Sequence, residues 1–330
     1  MNPQGTLLLS RSDIRALLQF PEYIELVENA FRLHVEGKSL KPELLHVNSV
    51  GGEFHIKAGG LELEKMYFAV KVNGGFFNNK TRFNMPNIQG SIVLCDGENG
   101  YPLAIIDSGE ITINRTGAAA AIAAKYLARA ESSIATICGC GAQGRIQMIA
   151  MKTILPIEKF YVFDVDEAKA QTFAAEMSKN LRLEVVATRE LSSCTKKSDV
   201  IVTCTSSRKN FLGRDHVSPG TFIAAMGADS PDKQELDPDL LKSNTVVVDL
   251  LDQCAEVGEL HHALDRGMMK EEVHAELGEI ISGKCLGRTS TSEIIIFDAT
   301  GTALQDVAAA ARAYQKATRF GGGRVFDLFG

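Results

Sequence analysis

Apolar and polar positions follow two rhythms along the chain, and the change of rhythm divides it. In "SRSDIRALLQFPEYIELVENAFRLHVEG" apolar residues recur at helical spacing, with Ser10 or Ser12 as a cap and Gly37 as a stop. This stretch predicts two short helices split near Pro21. From Leu44 to Ile106 the pattern becomes short alternating or apolar runs, "LLHVNSV", "EFHIKAG", "YFAVKVNGG", "GSIVLCD" and "PLAIID", separated by Gly, Asn and Pro turn signals. These runs predict an antiparallel sheet. An alanine-rich helix from about Arg115 to Arg129 follows, and then strands and helices alternate: "SIATICG", "RIQMIAMKTI", "KFYVFDV", "EAKAQTFAAEMSKN", "LEVVA", "DVIVTCTS", "TFIAAMG" and "TVVVDL". That alternation predicts a parallel, doubly wound sheet. The last segment, "IIIFDATGTALQDVAAAARAYQKATRF", predicts one strand and a long helix whose small residues suit close packing back on the first domain.

Composition narrows the classes. At 330 residues the chain exceeds what one core usually serves, so two domains are expected. A hydrophobic share of 45% and a charged share of 23% are ordinary for a globular protein. The net charge of -6 offers no basic footprint for nucleic acid. Three leucines ahead of Ser10, Arg11 and Asp13 are too few for an export signal, and the alanine-rich tract is interrupted by Lys125, so neither export nor a membrane span is expected. A cytoplasmic location is expected, and with it reduced thiols for the seven scattered cysteines.

One stretch carries specific chemistry. In "TICGCGAQGRIQ" the glycines Gly139, Gly141 and Gly144 follow an apolar strand and open a helix, with Ala142 and Gln143 at its start. In that context the spacing is a dinucleotide fingerprint: one glycine for the turn, one for backbone approach to a pyrophosphate, one for helix packing. The competing reading is a merely structural strand-turn-helix. Asp164, ending "KFYVFD" roughly 20 residues on, favours the first reading, because a carboxylate there accepts hydrogen bonds from a ribose diol. It would also repel a 2′-phosphate, and no arginine follows it in "DVDEAKA", so NAD is favoured over NADP. Cys138 and Cys140 lack the spacing of a redox pair and the further ligands of a zinc site, so they are expected to be buried fillers and no metal is expected.

The first domain offers Glu43, His55, Lys57, Lys71 and Asn73 on its strands. Lysines on strands usually face water, but Lys71 lies mid-strand among apolar neighbours, where an ammonium needs a partner. Arg115, expected at the head of the alanine-rich helix, is either a bidentate clamp for a carboxylate or a structural ion pair. Asp229, just past an apolar strand, lies at the carboxyl edge where doubly wound folds bind ligands, or is a turn cap before Ser-Pro.

With these residues in place, the sequence resembles the ornithine cyclodeaminase/mu-crystallin family, which includes archaeal-type alanine dehydrogenases and ketimine or imine reductases. The resemblance rests on "AVKVNGG", "MPNIQGSIVLCDGENGYPLAIIDSGEIT", "RTGAAAAIAAKYLAR", "ICGCGAQGR", "GADSPDKQELD" and "IIIFDATGTALQDVAAA", in order along nearly the whole chain. It implies an α/β protein: a Rossmann-type doubly wound parallel sheet, residues 117–302, that binds NAD, plus an α+β substrate-binding and dimerisation domain, residues 1–116, completed by a C-terminal helix within 303–330. It implies a homodimer. It further implies that Lys71 is catalytic, contacting the substrate carboxylate and the reaction-centre water or imine, that Arg115 binds the carboxylate, that Asp229 moves protons at an amino or imino group, and that Thr116, Thr205 and Ser206 line the cofactor.

Two departures bear on substrate. Where ornithine-cyclising members carry an acidic residue this chain has His55 and Lys57, and where alanine dehydrogenase-like members carry a lysine it has Glu43. Glu53 or Glu43 remains available for a cationic side chain. The expectation is therefore an NAD-dependent amino-acid dehydrogenase or imine reductase acting on a small amino, imino or 2-oxo acid. The alternatives are an ornithine-type cyclodeaminase and a non-catalytic, mu-crystallin-like binding protein, the latter disfavoured by Lys71, Arg115 and Asp229.

Overall fold

The structure is a computed structural model and describes residues 5–270 and 273–328. The outermost ends of the first domain expected from sequence, residues 1–4 and 329–330, lie outside the described residues. Contacts divide the chain into two units, Met1–Arg115 with Thr302–Gly330, and Thr116–Gly301.

The first unit is built on a seven-stranded sheet in the order Arg324–Phe326, Thr6–Leu9, Pro102–Asp107, Ile88–Asp96, Met66–Gly75, Gly52–Glu62, Ser39–Ser49. The last five of these are antiparallel neighbours, as the alternating runs predict. Thr6–Leu9 runs parallel to Pro102–Asp107, a pairing too short and too distant in sequence to show as a periodic signal. Ser10 caps the helix Arg11–Leu17, and Phe20–Val35 follows with Pro21 in its first turn, where its missing N–H costs nothing. The helix Ala303–Phe320 packs on one sheet face, against Gly52–Glu62 and Met66–Gly75, and on Phe20–Val35. Glycine permits that approach: a Cβ on Gly59 would lie 3.1 Å from the Ala303 Cβ.

The second unit holds an eight-stranded, wholly parallel sheet in the order Ala275–Glu276, Thr245–Val248, Ile295–Asp298, Phe222–Ala225, Val200–Thr203, Ile134–Cys138, Lys159–Phe163, Glu184–Ala187. Its central strands are buried on both faces, which is why they read as continuous Val/Ile/Ala runs. The strand order reverses between Ile134–Cys138 and Val200–Thr203. Among the described residues no helix is long and apolar enough to cross a membrane.

One helix begins earlier than its sequence suggests. The alanine-rich helix spans Ser108–Leu127, so Arg115 and Thr116 sit two turns inside it and not at its head. "ITIN" looks extended because Ile and Thr are β-branched, but Asp107 Oδ1 accepts the Glu110 N–H at 3.0 Å and anchors the helical start.

Candidate active site

In the first unit, side-chain alternation decides which predicted residues meet. His55, Lys57, Lys71 and Asn73 project from one sheet face and are buried, with Lys57 directly opposite Lys71 and His55 opposite Asn73. Glu43 does not join them. It pairs with Ala58, next to the Leu44–Lys57 pair in an unbroken register, and so falls on the opposite face and is exposed. Its expected substrate role is therefore withdrawn, because period two puts its side chain on the wrong side of the sheet.

The partner that Lys71 requires is Asp306, at 2.5 Å and equally buried. Asp306 stands in the first turn of Ala303–Phe320, behind the Thr302 cap, where the helix dipole favours an anion. Arg115 Nε approaches the other Asp306 oxygen at 3.4 Å, and its Nη1 donates to Gln305 Oε1 at 3.2 Å. Arg115 is aimed there because Asn73 holds the preceding turns of its helix, accepting from Ser108 and donating to Thr112. Burial, reinforced by the Arg115 charge, lowers Lys71 to about 7. Burial alone would raise Asp306, but Lys71 and Arg115 outweigh it and hold that carboxyl low. Lys57, Lys71 and Arg115 thus supply three buried cationic groups beside the Asp306 carboxylate, an excess of positive charge suited to an incoming anion. Sequence reasoning missed Asp306 and Gln305. The available signal was a lone acid in an alanine-rich helix.

The same face carries Glu53. Its two oxygens meet His46 Nε2 at 3.0 Å and His55 Nε2 at 3.2 Å, and these potential metal-ligating atoms lie within 4.8 Å of one another. Lys57 follows on the same strand face and opposes a further cation, so the set reads as a carboxylate held by two imidazoles.

In the second unit the glycine turn has the geometry its spacing implies. Gly139 has φ +112°, and a Cβ there would meet the Cys204 carbonyl at 2.8 Å. Gly141, at the start of the helix Ala142–Ile154, has open space where a side chain would stand, leaving room for phosphate beside the Ala142 and Gln143 end of the helix. A Cβ on Gly144 would lie 2.1 Å from the Gly139 carbonyl. The turn lies at the point of strand-order reversal, where such folds bind ligands. Asp164 follows the next strand and accepts the Cys140 N–H at 2.9 Å and Lys169 Nζ at 2.6 Å. Burial pushes its carboxyl up, but the Lys169, Cys140 and Asp166 bonds win and hold it low, hence ionised. The residues present therefore fit a dinucleotide. Burial raises the Cys140 thiol to about 12 and pushes the Cys138 thiol well above its ordinary value, so neither offers a thiolate.

Thr205 and the exposed Ser206 follow Val200–Thr203, and Asp229 follows the neighbouring strand Phe222–Ala225, all at the carboxyl edge. Asp229 pairs with Lys233 at 2.5 Å and its side chain is 39% exposed, so it reaches solvent. Thr116 is buried in the helix Ser108–Leu127.

A glycine turn at the switch point of a parallel sheet, with an ionised carboxylate at the next strand end, defines a Rossmann-type dinucleotide-binding protein. The ornithine cyclodeaminase/mu-crystallin family profile matches residues 4–320, and the chain belongs to that family. It is 38% identical over 314 residues to an alanine dehydrogenase of Archaeoglobus fulgidus, covering 94% of this chain and 95% of the relative. Among solved structures, an archaeal alanine dehydrogenase dimer with bound NAD superposes with a TM-score of 0.93 at 35% identity, covering 99% of this chain and all (100%) of the other. The Δ1-pyrroline-2-carboxylate reductase of Thermococcus litoralis, in complex with NADH and L-proline, superposes with 0.92 at 35% identity, covering 97% of this chain and 100% of the other.

Proposed function

We propose that the protein is an NAD-dependent oxidoreductase that interconverts a small amino acid and its imine. The observation that carries this reading is the buried Lys57, Lys71 and Arg115 set around Asp306, a receptor for a carboxylate, in a chain that also carries a complete dinucleotide turn. Lys71 and Arg115 bind and orient the substrate carboxylate. Asp229, ionisable and solvent-reaching, takes or gives the proton at the nitrogen. Bound NAD supplies hydride exchange at the α-carbon. Gly139, Gly141, Ala142, Gln143 and Gly144 hold its pyrophosphate, Asp164 its ribose, and Thr116, Thr205 and Ser206 line it. The relatives' named activities, alanine dehydrogenase and pyrroline-carboxylate reductase, support the reading.

A second reading, cyclodeamination of a diamino acid, is favoured by one feature. Glu53 stands two residues from His55 on the cationic face, offering a carboxylate to a distal ammonium. A panel of 2-oxo acids with ammonia or methylamine, of cyclic imino acids and of L-amino acids separates the two. Net NADH turnover supports the first reading, and ammonia release without net turnover supports the second.

The assembly we propose is a homodimer. The sheet face opposite Ala303–Phe320 presents Leu45, Val47, Phe54 and Val72 at 37–56% exposure, and a second copy would cover them. The archaeal alanine dehydrogenase structure is also that of a dimer. The seven unpaired cysteines suit a reducing cytoplasm.

A further inference from the structure

The strands Val200–Thr203 and Phe222–Ala225 are in-register parallel neighbours, so the chain leaves the sheet twice, side by side, at the carboxyl edge. One exit carries Cys204, Thr205 and Ser206. The other carries Gly227, Ala228 and Asp229. Glu235, fully buried on the short strand Gln234–Leu236, joins the two exits. Its Oε1 accepts from the Thr205 N–H at 2.6 Å and from Thr205 Oγ1 at 2.6 Å. Its Oε2 accepts from the Gly227 N–H at 3.0 Å. Gly227 is glycine for this contact, since a Cβ there would lie 2.4 Å from Glu235 Oε2. Glu235 is itself held: Glu259 accepts its backbone N–H at 2.7 Å and that of Leu236 at 3.0 Å. A carboxylate is costly at such depth unless it is hydrogen-bonded. Here both oxygens are spent on two loops.

We propose that Glu235 is a positioning residue, a buried carboxylate bridge that sets the spacing between the Thr205–Ser206 loop and the Gly227–Asp229 loop and thereby aims Asp229. The inference rests on the functional reading above in assigning Asp229 the proton. The bridge itself rests only on the geometry of the second unit. A bidentate carboxylate suits the task because two acceptors on one rigid plane fix the distance between their donors. An amide cannot replace it, because its NH2 would face either the Thr205 or the Gly227 N–H.

Glu235→Gln and Gly227→Ala attack the bridge from its two sides. Hydrogen-exchange mass spectrometry on the protein without added cofactor reads it independently of chemistry. Both variants should lose protection in peptides covering residues 203–207 and 226–229 while the other strands of the sheet keep theirs. In turnover, kcat should fall roughly 10- to 100-fold with the imine KM within about two-fold, since a misplaced proton donor costs chemistry more than binding. The primary isotope effect from deuterated NADH should rise. Wild-type protection in both loops, or a wild-type kcat and isotope effect in Glu235→Gln, overturns the proposal. If Glu235→Gln does not fold, Gly227→Ala decides by the same readouts. If the wild type transfers no hydride to any imine, the functional reading fails, and the exchange data still decide whether the bridge exists.

Discussion

At the residue scale, the proposed carboxylate receptor turns on Lys71. An ammonium lowered to about 7 by burial and by Arg115 is half protonated near neutrality. Only the charged form attracts a carboxylate, so in the direction of imine reduction kcat/KM should be high below that value and fall as pH rises through it. Lys71→Arg keeps the charge at all pH and should lack this limb, whatever its absolute rate. A wild-type profile flat between pH 6 and 8 would show that the ammonium is not required. Asp229→Asn should keep NAD affinity and cut kcat by about 100 to 10,000-fold, the usual worth of acid-base assistance. Steady-state kinetics with a calorimetric NAD titration checks both halves, and a near wild-type kcat would leave Asp229 only its ion pair with Lys233. Lys71 is legible in sequence as a cation needing a partner, but its partner lies 235 residues away. No local pattern joins two residues so far apart. Glu43 is misread for a related reason: its face is set by its pairing with Ala58, next to the Leu44–Lys57 pair, and composition carries no trace of that register.

Among elements, those with a strong period are the legible ones. The glycine turn and the central parallel strands stand out because their determinants are adjacent in sequence: the turn's geometry needs those glycines, and strands buried on both faces need unbroken apolar runs. The first two turns of Ser108–Leu127 are obscured by β-branched residues whose propensity the Asp107 cap and the Asn73 contacts override. The two-stranded pairing of Arg208–Leu212 with Gln234–Leu236 leaves no periodic trace, and with it Glu235 goes unnoticed. Asp164 tests the nucleotide half of the account at this scale. Asp164→Ser removes the proposed ribose acceptor and frees Lys169 from its pair, so NAD binding should weaken roughly ten-fold and its advantage over NADP should narrow. Titration of both cofactors decides, and an unchanged ratio of dissociation constants would remove Asp164 from the ribose.

For the whole molecule, one chain carries two chemically complementary units: one gathers cations around Asp306, the other builds a dinucleotide turn and a carboxylate-bridged edge. The apolar face of the first sheet argues that two such chains associate. Val72→Lys places an ammonium in that face, where burial without a partner is costly, and should convert a dimer to monomer in sedimentation velocity. A wild-type monomer at micromolar concentration would contradict the proposed assembly. The central claim, hydride exchange between a nicotinamide and the α-carbon of a carboxylate-bearing imine, is tested most directly by isotope transfer. The enzyme is given NADH deuterated at the transferable position together with a cyclic imino acid, or with pyruvate and ammonia, and the amino-acid product is weighed. The account predicts one deuterium at the α-carbon for each NADH oxidised, and loss of that transfer in Arg115→Ala. Product without deuterium, or NAD binding with no transfer to any carboxylate-bearing imine, would contradict it.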